Sequence, residues 1–136
     1  MAELKLEIIT PEKVAYSDTV QSVVLPGTEG EMGALANHVP MVTMLSPGDL
    51  QVSKDGKIVD LAVGEGFVEV TAHHVTVLTD MALEASEIDE DQAQKAIERA
   101  QEALKNEPAD SDEAKMLMAT VQRSMAQLNV KKRWRK

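Results

Sequence analysis

The stretch Val24–Leu50, VLPGTEGEMGALANHVPMVTMLSPGDL, decides the fold. Gly27, Gly30 and Gly33 recur at every third position, a short turn carries Asn37-His38-Val39-Pro40, and a second turn carries Pro47-Gly48. Glycine reaches positive φ without steric cost, and turns select glycine, proline and asparagine for that reason. The stretch therefore predicts tight reversals between strands, with the three glycines where the backbone needs positive φ.

The sequence on either side repeats this alternation of strand and turn. Leu4, Leu6 and Ile8 alternate with Lys5, Glu7 and Ile9, the period of a half-buried strand. Further strands are expected at residues 20–25, 41–45, 50–53, 57–63, 67–71 and 75–78, separated by Pro26-Gly27, Pro47-Gly48, Asp55-Gly56 and Gly64-Glu65-Gly66. Lys54-Asp55-Gly56-Lys57 has the residues of a type I′ hairpin. This spacing predicts an N-terminal antiparallel β-sandwich or barrel of about eight to ten strands.

After Ser86 the period changes to that of a helix. Ala93, Ala96, Ile97, Ala100 and Leu104 make one stripe, with Asp89 as cap and Gln92 three residues on. Asn106-Glu107-Pro108 stops the helix, and Asp110 with Glu113 repeats the capping pattern. A second stripe runs through Ala114, Leu117, Met118, Val121, Met125 and Leu128. The expected tail is a two-helix antiparallel hairpin, so residues 1–86 form a β-domain and residues 87–136 a helical one. Helices of about fifteen to twenty residues are marginal alone in water, and alanine methyls contribute little on burial. A hairpin with such a stripe is expected to dock weakly and to change partner.

Composition narrows the function classes. Phe67, Tyr16 and Trp134 are the only aromatics, which leaves aliphatic residues and the eight methionines to make the core. No apolar run approaches the roughly eighteen residues of a membrane span, and the N-terminus lacks the pattern of a signal peptide. With no cysteine there is no disulfide framework. The net charge of −9 lies wholly in residues 1–85; the tail is neutral and ends in the basic run Lys131-Lys132-Arg133-Trp134-Arg135-Lys136. An acidic body argues against a nucleic-acid partner. The basic tip is either a solvated chain end or a contact for an acidic protein surface, anionic lipid or RNA.

The residues show no catalytic constellation. The run of three glycines lacks the Gly-Lys-Ser/Thr ending of a phosphate loop, and no helix pattern follows it. His73 and His74 are neighbours, so on a strand they point to opposite faces and cannot chelate one metal. No serine lies near a histidine in a pattern that suggests a nucleophile and its base. No cofactor and no metal are expected, and the chain reads as a non-catalytic interaction protein.

The ordered motifs PGTEGEMG, NHVP and PGDL, with ITPEKVAYSD before them and GEGFVEV, HVTVLTDMA and Ile88-Asp89 after them, resemble the epsilon subunit of F-type ATP synthase. The resemblance spans nearly the whole chain. It implies a central-stalk (rotor) subunit that couples proton or sodium flow to ATP synthesis, with the gamma subunit and c-ring as partners and no insertion into the membrane. By resemblance, Glu29, Glu31, Met32, Gly33, His38 and Val39 contact c-ring loops, with Glu31 foremost. Where relatives read Pro-Gly before the histidine, this chain has Ala36-Asn37, and asparagine also tolerates positive φ. The same resemblance implies that the hairpin, when extended, meets the alpha and beta catalytic subunits and inhibits ATP hydrolysis. Arg123, Lys131, Lys132, Arg133 and Trp134 would supply that contact. It further implies a peripheral protein on the cytoplasmic face of a bacterial plasma membrane, or on a thylakoid or other coupling membrane.

Some relatives bind ATP through an Ile/Leu-Asp-x-x-Arg/Lys-Ala motif, which here reads Ile88-Asp89-Glu90-Asp91-Gln92-Ala93. The cation is replaced by Gln92, which predicts weak ATP binding or none. Asp89, Arg99 and Arg123 are the remaining candidate ligands. The alternative reading is an ATP-sensing subunit in which nucleotide holds the hairpin down.

Overall fold

A computed structural model describes residues 3–28, 30–35 and 40–134 of the chain. Ten strands come first: β1 (Leu4–Ile9), β2 (Val14–Val20), β3 (Ser22–Gly27), β4 (Gly30–Leu35), β5 (Met41–Leu45), β6 (Gly48–Lys54), β7 (Lys57–Val63), β8 (Gly66–Val70), β9 (His74–Thr79) and β10 (Ala82–Glu84). A 3-10 turn, Ala85–Glu87, leads into α1 (Glu90–Leu104) and α2 (Asp112–Trp134). The strand order is β10-β7-β6-β3-β5-β8-β9-β1-β2, with β4 paired to β3 off this path. Every one of these strands has an antiparallel neighbour, but β1 also lies parallel to β9, Lys5 opposite His74 through Ile9 opposite Leu78. The expectation of a purely antiparallel sheet is corrected at that one pairing.

Alternation builds the core. Leu4, Leu6 and Ile8 point inward from β1, Val23 and Leu25 from β3, Leu50 and Val52 from β6, Val75 and Val77 from β9, all fully buried. Burying each such side chain contributes roughly 1.5–3 kcal/mol. The core is aliphatic, and the methionines sit at its margin or outside it: none of those described is fully buried, Met32 and Met41 pack against the core half-buried, and Met44, Met116, Met118 and Met125 are exposed. Phe67 and Trp134 are also exposed.

The turn chemistry is confirmed in part. Asp55 and Gly56 both take positive φ between paired Lys54 and Lys57, as a type I′ hairpin requires. Of the three early glycines only Gly30 has positive φ, at 118°. Gly27 ends β3 and Gly33 sits inside β4, so these two are strand residues. The expected strand at 20–25 is interrupted at Gln21, whose N–H donates to Ser53 O at 2.9 Å, separating β2 from β3.

Asp89 caps α1, accepting from the Gln92 N–H at 3.0 Å. At α2 the cap is Ser111 and not Asp110: the Ala114 N–H donates to Ser111 Oγ at 3.0 Å. The buried stripe of α2 also differs from the expected one. Ala114, Val121, Ser124, Ala126 and Val130 are buried, whereas Met118 and Met125 face out. Two apolar seams explain the shift. Ile97, Ala100 and Leu104 of α1 pack against Leu117, Val121 and Leu128 of α2. On another face of α2, Ala126 and Val130 pack against Ala62, Met81, Leu83, Ala85 and Ile88. A helix between two partners buries two stripes, and a single-stripe reading finds only one.

Candidate functional site

Three surfaces offer themselves for interaction: the β3–β4 ribbon, an uncovered sheet face, and the seam that holds the hairpin.

In the ribbon, Pro26 pairs with Glu31, Leu25 with Met32 and Val24 with Gly33. Glu31 is exposed, and Gly33 is exposed with open space beside its Cα. Met32 is half-buried and packs against the chain's own core. Glu29, His38 and Val39 lie outside the described residues.

The uncovered face is formed by β5, β8 and β9. Register aligns Met44 with Phe67 and Phe67 with Leu78, giving an apolar row across three strands with Val42 beside it. These side chains are 54 % (Met44), 54 % (Phe67), 50 % (Leu78) and 68 % (Val42) exposed, although each belongs to the type normally buried. A contiguous exposed apolar patch marks a surface that another molecule covers. The sequence reading missed these residues, yet carried their signal. Met41-Val42-Thr43-Met44-Leu45 is apolar on both faces of its strand, where a strand with one wet face alternates.

At the hairpin seam the basic residues turn inward to the chain itself. Arg123 Nη1 donates to Asp80 Oδ2 at 3.2 Å, and its Nη2 to Thr120 Oγ1 at 3.4 Å. Lys131 Nζ donates to Ala85 O at 2.9 Å and lies 4.8 Å from the centre of the Trp134 ring. Arg133 pairs with Asp49 of β6 and lies 4.0 Å from Asp60 of β7. Lys132 and Trp134 are exposed. Burial pushes the Asp49 carboxyl up to about 6; the neighbouring Asp60 adds to this and Arg133 opposes it.

Of the three candidate nucleotide ligands, Asp89 serves as the α1 cap, and Arg99 is exposed ten residues further along the helix, a rise of about 15 Å. Arg123 is held by Asp80, in a hollow lined by Glu113, Met116, Leu117, Ala119 and Thr120. His73 and His74 are exposed at the entry to β9.

Comparison with known proteins matches each half of the chain in turn. Residues 3–85 fit the model of the ATP synthase delta/epsilon chain beta-sandwich domain, and residues 86–132 that of the delta/epsilon chain long alpha-helix domain. The chain is 37% identical over 132 residues to the ATP synthase epsilon chain of Shouchella clausii, covering 97% of both proteins. It is 42% identical over 108 residues to that of Desulforamulus reducens, covering 79% of this chain and 82% of the relative. Among solved structures, a chain of the Euglena gracilis mitochondrial ATP synthase OSCP/F1/c-ring assembly superposes with a TM-score of 0.78 at 27% identity, covering 95% of this chain and 81% of that one. A Tetrahymena thermophila ATP synthase central-stalk/c-ring chain shares the fold alone, at 15% identity and a TM-score of 0.63, covering 98% and 96%. With both halves matched in order and relatives aligned over nearly their full length, the chain belongs to the ATP synthase delta/epsilon chain family, as an epsilon-type chain.

Proposed function

We propose that this chain works as the non-catalytic epsilon subunit of an ATP synthase, a rotor element whose β-domain docks on the gamma subunit and the c-ring. The observation that carries the reading is the row Met44, Phe67 and Leu78, exposed on a sheet face that neither helix covers. Such a row costs free energy in water and is explained by a permanent partner. The exposed Glu31 on the β3–β4 ribbon supplies the polar contact, paired with basic c-ring loops. Residues 1–86 act as the docking unit and residues 87–136 as the regulatory one. Extended from the sandwich, the hairpin frees Arg123, Lys131 and Arg133 to meet acidic segments of the catalytic subunits and slow ATP hydrolysis. The complex sits with this subunit on the cytoplasmic face of the coupling membrane.

The test is co-purification of the rotor with charge and size variants of the two surfaces. Phe67→Glu is expected to abolish capture by gamma, and Glu31→Lys to weaken c-ring attachment while gamma binding persists. Full assembly by both variants overturns the docking assignment.

A further inference from the structure

Asp49 and Asp60 stand on adjacent strands of one sheet face. Asp49 pairs with Ala62 and Asp60 with Gln51, so the two aspartates are diagonal neighbours on the side that α2 covers. Both carboxyl groups face the same guanidinium nitrogen, Arg133 Nη1. The Oδ1 atoms of both are buried with no hydrogen-bond partner among the described residues. Arg133, on the last turn of α2, pairs with Asp49 Oδ2 and lies 4.0 Å from Asp60 Oδ1. Two carboxylates thus face one guanidinium in a spot where the Asp49 side chain is only 14 % exposed.

That arrangement is one proton short. An unpaired buried acceptor is destabilising, and two adjacent carboxylates repel. A single proton on the aspartate pair removes that repulsion and leaves one negative charge to balance Arg133. With α2 lifted away, Arg133 leaves, water reaches both carboxylates, and the proton is no longer needed. Among the described residues, the charges near this spot include Glu84 of β10, which lines the same hollow as Asp60 and Arg133, Lys131 of α2, which is occupied with Ala85 O, and the exposed Lys132. The described histidines, His73 and His74, belong to the entry of β9.

We propose that Asp49, Asp60 and Arg133 form a proton-sensitive latch on the hairpin, in which one proton held by the aspartate pair tightens α2 onto the sandwich and its loss loosens it. The proposal rests on the reading of the hairpin as a movable regulator and names what moves it. The sign follows from linkage. The docked state holds the Asp49 carboxyl at about 6 against an ordinary 3.8, so it binds more protons than the undocked state between those values. Docking is therefore strongest in acid and is lost as pH rises through about 6, a change of about tenfold in the docking constant between pH 5 and pH 7.5.

The chain has no cysteine, so nitroxide labels at Lys57→Cys and Lys132→Cys report the separation of sandwich and hairpin in the full chain. The expected result is an undocked population that grows about tenfold from pH 5 to pH 7.5. In Asp49→Asn, which carries its own donor and no charge, the hairpin stays docked at both pH values. A separation that does not change with pH, or a change that survives in Asp49→Asn, overturns the latch. Carbon-13 NMR of the Asp49 carboxyl is the second readout. A midpoint near 6 that falls in Arg133→Glu, where the hairpin is released, supports the latch; an ordinary midpoint in the docked chain overturns it. Inhibition of ATP hydrolysis by the hairpin is decided separately by truncation, so the latch and the regulatory reading fail in different experiments.

Discussion

The Arg123 guanidinium donates to the Asp80 carboxylate at 3.2 Å, tying α2 to the end of β9 across 43 residues of sequence. Gly64 makes room for that contact: a Cβ there would lie 1.9 Å from Asp80 Oδ1 and 3.4 Å from Arg123 Cδ. A glycine in the β7–β8 connection thus serves the attachment of a helix that starts nearly fifty residues later in the sequence.

Gly64→Ala is expected to destabilise the chain by about 1–3 kcal/mol, the usual cost of overpacking. Most of that cost should disappear in Gly64→Ala combined with Asp80→Ala. Urea denaturation of the two single variants and the double variant measures the coupling, and strict additivity contradicts the steric account.

Val130 is fully buried against the sandwich, in a seam otherwise built largely from alanine. Val130→Asp places a charge in that seam and is expected to release α2 while the strand core, which has its own buried cluster, stays folded. Hydrogen exchange should show fast amides over residues 112–134 and unchanged protection in β1, β6 and β9. Loss of protection in the strands as well would mean that hairpin and sandwich unfold as one unit.

Lys54 pairs with Asp18, a contact between β6 and β2 that lowers the Asp18 carboxyl below 3.8, chiefly through the hydrogen bond from Lys54. A lowered carboxyl stabilises the fold above its unfolded value, and that contribution is lost as pH falls through the folded value. Lys54→Met should return Asp18 toward 3.8 in an NMR titration. The pair is exposed, so melting temperature should change little.

Asp89 is engaged as the α1 cap, Arg123 is held by Asp80, and Gln92 stands where a nucleotide motif carries a cation. Millimolar ATP should therefore leave the melting temperature of the isolated chain unchanged. A rise that saturates with ATP and vanishes in Arg123→Ala would favour the nucleotide-sensing alternative.

Much of this architecture could be read in the residues because it is local. Period-two alternation places Leu4, Leu6 and Ile8, Asp55-Gly56 dictates its own turn, and Asp89 with Gln92 marks the start of α1. The features that escaped reading depend on distant partners. The parallel pairing of β1 with β9 has no local cue, because it joins strands about seventy residues apart. The second buried stripe of α2 exists because Ala126 and Val130 meet Ala62 and Ile88. The exposed row of Met44, Phe67 and Leu78 is assembled by register across three strands, so no single strand announces it. The basic tail was read as a partner contact or a solvated end, and neither reading anticipated its pairing with Asp49 and Asp60 within the chain. The Glu31 assignment rests on resemblance, and its exposure is compatible with that role.

The most direct test of the central claim is ATP hydrolysis by the matching catalytic head, reconstituted with the full chain and with a version ending at Ser86. The account predicts that both bind the rotor and only the full chain slows hydrolysis. Binding by both with no inhibition by either contradicts the regulatory hairpin, and failure of both to bind contradicts the role in the rotor.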